Sequence, residues 1–305
     1  MSDENKNDEV DTCEVDTSYC ASCGVAEVDD IKLKDCDGCD LVKYCSDECQ
    51  EDHKSEHEEE CKTRAAELRD EILFKQPESS HMGDCPICCL PIPHDHSKHA
   101  MNGCCSKIIC KGCVFANAKR EREMRLALKC PFCRKVLPED DERYKLMMKR
   151  VEMNCPVATR EAAVLLNWNG DYGRAFELFT KAAELGDVAS HFELAVLYHN
   201  GEGVEKDMEK YIQHLEEAAI GGHYQARYNL GCDELRADNF ERAVKHWIIA
   251  AAQGDDGSIK ALMKAFRGGY VSKEDLDVAF RAHKAAIDAT KSPQRDEADR
   301  LEGRV

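Results

Sequence analysis

Eight soft donors stand in a fixed order near the start of the chain: Cys20-x2-Cys23-x12-Cys36-x2-Cys39-x5-Cys45-x3-Cys49-x7-His57-x3-Cys61. Thiolate and imidazole at that density are ligands for a borderline-soft cation, and eight of them are enough for two tetrahedral zinc sites. A C-x2-C pair suits zinc because a tight turn brings two thiolates to one ion while backbone N–H groups donate to the sulfurs. Cys45 and Cys49 are four residues apart, as are His57 and Cys61, so on a helix each pair shares a face and can chelate one ion. A redox dithiol needs one such pair, not an ordered series, and an iron–sulfur cluster gives no reason for His57.

A second group of donors follows. Cys85-x2-Cys88 opens it, Cys110-x2-Cys113 continues it and Cys130-x2-Cys133 closes it. These six thiols also read as zinc donors. Between the first two pairs begins the run CCSKIICKGC (104–113), in which Cys104 and Cys105 are adjacent. Cys89 reads as a packing or exposed thiol. No persuasive nucleophile–base constellation accompanies the cysteines, so covalent catalysis by the chain itself is not indicated.

Seventeen of the 19 cysteines lie from Cys13 to Cys133, and only Cys155 and Cys232 lie beyond. The 305 residues therefore split into a cysteine-rich front and an ordinary globular back, two or three domains in all. The start, MSDENKNDEVDTCEVDTSY, is acidic and is not a secretory signal. No later stretch approaches the ~18 consecutive apolar residues of a membrane-spanning helix. An intracellular setting, cytoplasm or nucleus, is expected, where metal binding outweighs disulfides. A net charge of −18 disfavours nucleic acid and anionic membranes and favours protein partners. The one dense basic run, KREREMR (119–125), is mixed with glutamates and reads as a solvated helix face.

These features set the organisation: a multidomain chain in which two small zinc-stabilised modules precede an all-α helical-repeat solenoid. Residues 1–19 read as a disordered acidic tail, and 20–61 as the first module. Residues 62–84 read as a helix (Ala66, Leu68, Ile72, Leu73) and polar linker, and 85–135 as the second module. A charged connector covers 136–157, repeats cover 158–290, and a C-terminal tail covers 291–305. Three repeat segments align without gaps, GDVASHFELA from Gly186, GHYQARYNLG from Gly222 and GDDGSIKALM from Gly254. A small residue stands four after each glycine (Ser190, Ala226, Ser258) and a leucine eight after (Leu194, Leu230, Leu262). An earlier copy places Tyr172, Ala175 and Phe179 on Phe240, Ala243 and Trp247, which makes about four helix–turn–helix units. Stacking such units buries apolar faces that no unit can bury alone. Trp247, Phe192 and Tyr228 read as core.

The first cluster resembles the MYND zinc finger, whose pattern also ends in H-x3-C, as in YCSDECQEDHKSEHEEEC (44–61). The resemblance implies interleaved sites, with Cys20, Cys23, Cys45 and Cys49 on one zinc and Cys36, Cys39, His57 and Cys61 on the other. It also implies binding of short peptides. His53, one turn before His57, lacks the x3 spacing to Cys61 and reads as an exposed helix histidine.

The second cluster, with CPIC (85–88) and CPFCR (130–134), resembles a RING finger. The resemblance implies a shallow platform for a ubiquitin-conjugating enzyme at Ile87 and Pro131. It further implies that Arg134 bridges that enzyme and ubiquitin, a task suited to a guanidinium fork. Such a finger acts by positioning a charged conjugating enzyme. The pattern departs at one place. Counting back from Cys110, Cys105 fills the third-ligand slot, but Lys107 stands where a histidine ligand is expected. Cys104 and Cys105 could both bind, which demands a turn because neighbours in extended backbone point apart; Asn102-Gly103 offers one. Alternatively a histidine of PHDHSKH (His94, His96, His99) could complete the site, or the site could be weak or empty. With Cys104 as the nearest replacement, four Zn2+ are expected: two in the first finger, and two, or one, in the second.

The repeats, with NLG (229–231), GEGVEKD (201–207) and AAELG (182–186), resemble the Sel-one-like class of tetratricopeptide-type repeats. That implies a right-handed α-solenoid whose concave face binds proteins. Two functional readings follow. One is a RING-type ubiquitin ligase whose repeats recruit substrate. The other is a non-catalytic adaptor in which zinc only folds its modules. A methyltransferase of the kind that carries some MYND fingers is disfavoured, because no cofactor-binding segment flanks this one.

Overall fold

The structure, a computed structural model, describes residues 19–28, 30–137 and 140–302 and divides into two compact units, 1–72 and 73–305. Apart from Tyr19, the acidic segment 1–19 lies outside the described residues. The fold is a small zinc-finger module followed by a second cysteine module and a helical solenoid.

In the first unit a short antiparallel ladder pairs β1 (Lys34–Asp35) with β2 (Lys43–Tyr44), in register Lys34↔Tyr44 and Asp35↔Lys43. The long helix α1 (Asp47–Leu73) follows. Asp47 and Glu48 occupy its first turn, where negative charge complements the helix dipole. Cys49, His53, His57 and Cys61 recur every four residues on α1, one slowly turning stripe rather than an apolar face. The helix expected after residue 62 is therefore the second half of α1, not a separate element.

The second unit begins at Leu73. Its cysteine module holds the hairpin β3 (His99–Asn102) and β4 (Lys107–Cys110), paired from His99↔Cys110 to Asn102↔Lys107, and then α2 (Lys111–Glu123). The stretch expected to be a connector contains α3 (Asp140–Glu152). Four helix pairs follow: α4 (Pro156–Trp168) with α5 (Tyr172–Glu184), α6 (Val188–Asn200) with α7 (Met208–Ile220), α8 (Tyr224–Arg236) with α9 (Phe240–Ala252), and α10 (Asp256–Arg267) with α11 (Lys273–Ala289). The stretch expected to be a C-terminal tail holds a helix, α12 (Pro293–Glu302), which packs on α2.

Local signals explain the pairs. Pro156 opens α4, where a missing N–H costs nothing. Asp171, Asp187, Asp207 and Asp255 cap α5, α6, α7 and α10 by accepting backbone N–H bonds. In the corresponding position before α8 stands His223, whose Nδ1 accepts from Ala226 N at 3.2 Å. The repeat columns are core columns: Leu194, Leu230 and Leu262 are buried, as are Ser190, Ala226 and Ser258. Gly231 in α8 has a packing reason, since a Cβ there would lie 2.5 Å from Nε1 of buried Trp247. Leu73 joins the core of Tyr198, Tyr211, Leu215 and Leu230, with Phe74 packed against it. Buried Arg227 donates to the carbonyls of Leu73 and Ala219. Among the described residues no helix is long and apolar enough to cross a membrane.

Candidate metal centres

The eight donors of the first module gather into two groups, Cys20, Cys23, Cys45 and Cys49, and Cys36, Cys39, His57 and Cys61. Within each group every donor atom lies within 4.8 Å of the others. The Sγ atoms of Cys23 and Cys45 are 3.5 Å apart, those of Cys45 and Cys49 3.6 Å, and those of Cys36 and Cys61 3.7 Å. Cys39 Sγ stands 3.2 Å from His57 Nε2. A tetrahedron with zinc–sulfur arms of about 2.3 Å has edges of about 3.8 Å, so the donor sets fit zinc.

Local turns aim these side chains. The Cys36–Cys39 knuckle is closed by Cys39 N donating to the Cys36 carbonyl at 3.3 Å. Gly38 is required inside it, because a Cβ would sit 2.7 Å from Cys61 Sγ. Arg64 of α1 grips Asp40 with both arms of its fork, Nε to Oδ1 at 2.6 Å and Nη2 to Oδ2 at 2.9 Å, which ties the knuckle to the helix and holds the Asp40 carboxyl below its usual range. His53 is not the exposed histidine its sequence position suggested. Its Nδ1 lies 3.0 Å from the hydroxyl of buried Tyr44, and its ring stacks on His57 at 5.8 Å. It therefore packs against the candidate donor histidine from one turn away.

The second module also gathers two groups of four, Cys85, Cys88, Cys110 and Cys113, and Cys104, Cys105, Cys130 and Cys133. Cys88 and Cys110 are 3.7 Å apart, Cys104 and Cys133 3.3 Å, and Cys105 and Cys130 3.8 Å. The adjacent cysteines converge because the hairpin turns tightly at this point. Cys105 N and Ser106 N both donate to the Asn102 carbonyl, at 3.0 and 2.7 Å, and Ser106 adopts a φ of 53°. Lys107 stays off the cluster, its Nζ 5.8 Å from the centre of the Phe132 ring. The alternative donors are elsewhere: His94 Nε2 donates to the Gln253 carbonyl at 2.7 Å, and neither His96 nor His99 belongs to a donor group. The spare thiol, Cys89, is exposed.

Crowded thiols oppose one another's ionisation. Burial resists charging Cys20, but N–H donors of Cys23, Cys45 and Ser22 outweigh it and bring Cys20 down to about 6. Cys45, donating to Cys23 and Cys49, is pushed up to about 12. Cys85 accepts from the Cys110 thiol and falls to about 4, while Cys110 is pushed up in return. Burial raises Cys104, takes Cys105 to about 11 and Cys113 to about 12. A divalent cation bound in such an all-cysteine group would resolve this competition by holding all four donors as thiolates.

Residues not singled out by spacing complete the second module. Glu121 of the charged run is almost wholly buried, not a solvated helix side chain. Its Oε2 accepts from Lys129 N at 2.7 Å and from Asn117 Nδ2 at 3.1 Å, which fixes the approach to Cys130. Arg134, at φ 61°, donates to Asn117 Oδ1 at 2.7 Å and to Glu121 Oε1 at 3.1 Å. Ile87 is 41% exposed and Phe132 42%, while Pro131 is half-buried between the last two donors.

Residues 20–61 match the MYND finger family model, and residues 168–187, 188–223 and 225–255 match the Sel1 repeat model. Among solved structures, the chain is similar to a Sel1 repeat protein from Oxalobacter formigenes, at 27% identity and TM-score 0.44, over 51% of this chain and 67% of that one. It is also similar to c5321, described as a protective antigen of uropathogenic Escherichia coli strains displaying an SLR fold, at 22% identity and TM-score 0.40, over 56% and 37% of the two chains. A third, the immunity protein PA5088 from Pseudomonas aeruginosa, has 20% identity and TM-score 0.36, over 62% and 68%. No curated protein matches.

Proposed function

We propose that this chain is an intracellular protein-interaction scaffold holding four zinc ions, whose second module is a RING-type finger. In this reading the finger positions a charged ubiquitin-conjugating enzyme while the repeats hold a protein substrate. One observation carries it: the two donor groups of residues 85–133 interleave along the chain, the first, second, fifth and sixth donors in one group and the third, fourth, seventh and eighth in the other. Exposed Ile87 and half-exposed Arg134, beside Pro131, support a docking platform. The finger's contribution is positional, since an enzyme-bound thioester held in a reactive pose needs no further nucleophile.

The test is ubiquitin discharge from a charged conjugating enzyme onto free lysine. The chain should accelerate discharge, and Ile87→Ala and Arg134→Ala should abolish the acceleration. No acceleration by the zinc-loaded chain, or rates unchanged in both variants, would sink the ligase reading. A second reading, an adaptor without ligase activity, is favoured by the engagement of Arg134 with Asn117 and Glu121. Binding of a conjugating enzyme that depends on Ile87 would count against it.

A further inference from the structure

We infer that the C-terminal helix α12 is an outer-shell part of the Cys85–Cys88–Cys110–Cys113 centre, held there by Arg295. The inference rests on the zinc reading and is independent of the ligase reading.

Arg295 is 7% exposed, unusual for a guanidinium. Its Nη2 donates to Cys88 Sγ at 3.4 Å and to the Leu90 carbonyl at 3.2 Å. Its Nη1 donates to the Pro91 carbonyl at 2.7 Å and to the Thr290 carbonyl at 2.6 Å. Three of these four acceptors lie on the loop that leaves the first knuckle, so the fork reads the shape of that loop. Burying a cation is costly unless a counter-charge is close. Among the described residues no carboxylate pairs with Arg295. Four thiolates around one divalent cation form a net dianion, and that cluster is the counter-charge the guanidinium otherwise lacks.

A separate contact places the helix itself. A Cβ on Gly112, next to Cys113 in α2, would lie 2.8 Å from Arg295 Cγ and 3.0 Å from its Cα. The two helices thus meet backbone against side-chain stem, and only glycine fits. Lys98 with Asp299 at 2.7 Å and Lys119 with Glu297 at 2.8 Å flank the contact as exposed ion pairs. Such pairs contribute little energy but add register.

An N–H···S bond draws charge from the Cys88 sulfur. It makes that thiolate a poorer nucleophile and harder to protonate, and protonation is the step by which a thiolate ligand is lost. Removing an outer-shell partner of this kind weakens metal retention about 10–100-fold. The experiment follows alkylation of the zinc-loaded full chain by iodoacetamide in the presence of EDTA, with the modified cysteines identified by peptide mass spectrometry. Arg295→Ala should speed alkylation of Cys85, Cys88, Cys110 and Cys113 by about tenfold or more, leaving Cys20 to Cys61 at the wild-type rate. Arg295→Lys, which keeps the charge but loses the fork, should fall between. Wild-type alkylation rates in Arg295→Ala would overturn the inference. Should that variant fail to fold, Arg295→Lys and Gly112→Ala decide the matter: full protection in both overturns it, and selective exposure of these four cysteines supports it. A wild-type chain holding no zinc would overturn the zinc reading and this inference with it, whereas zinc with unchanged protection overturns only the latter.

Discussion

His246 should be a residue the solenoid is better without. It lies in α9 with no exposed surface, its ring 4.7 Å from that of Phe74, and neither ring nitrogen has a hydrogen-bond partner among the described residues. Burial, with the nearby charges of Arg227 and Arg242, holds its pKa down to about 3. The unfolded chain titrates near 6.5, so between those values it binds more protons than the fold, and stability falls as pH falls. At about pH 5.5 the penalty for this one group is RT ln of roughly an elevenfold ratio, or about 1.4 kcal/mol. His246→Leu removes the titration and also the unpaired polar atoms, whose burial costs about 1–3 kcal/mol at any pH. The variant should therefore be more stable than the wild type near neutrality, and by about 1.4 kcal/mol more again at about pH 5.5. Urea unfolding followed by tryptophan fluorescence reads this locally, because neighbouring Trp247 is 3% exposed and the other tryptophan, Trp168, is 78% exposed. A stability difference equal at both pH values, or a variant less stable at both, would refute the reasoning.

Three further outcomes are expected. Gly38→Ala pushes a Cβ to within 2.7 Å of Cys61 Sγ, so elemental analysis should find one zinc fewer per chain than in the wild type. Exhaustive chelation under reducing conditions should unfold the cysteine modules while leaving most far-UV helical signal and the Trp247 emission in place, because the repeat cores contain no donor cysteine; loss of both signals would contradict this. Gly203 has a φ of 71° and its Cβ position is filled by the Tyr172 carbonyl, so Gly203→Ala should destabilise by at least about 1–2 kcal/mol, seen as a lower thermal midpoint.

Much of the molecule was legible because its determinants are local in sequence. Knuckle cysteines two apart, donors four apart on a helix and leucines eight after a glycine all follow from chain geometry. The parts that were not legible depend on distant or atypical contacts. The turn at Asn102-Gly103 and the candidacy of Cys104 could be read from sequence, but the positive φ of Ser106 that completes the turn could not. Glu121 looked solvated amid charges, yet its carboxylate serves a strand-like segment eight residues on. Arg295 touches Cys88 from 207 positions away, a separation at which sequence carries no pairing signal. His53 failed a spacing rule for ligands and so passed unnoticed as a partner of one.

The interleaving of donors in the second module has a consequence for how metal is taken up. Cys104 and Cys105 lie inside the loop that the first centre closes between Cys88 and Cys110. On the proposed reading of two ions in this module, the first ion orders the hairpin that carries two of the second centre's four donors, so the second ion has only the Cys105–Cys130 loop left to close. Loading should then be cooperative: chains given too little zinc should sort into full and empty modules, with few holding a single ion, so that metal supply would set the number of folded modules rather than the quality of each.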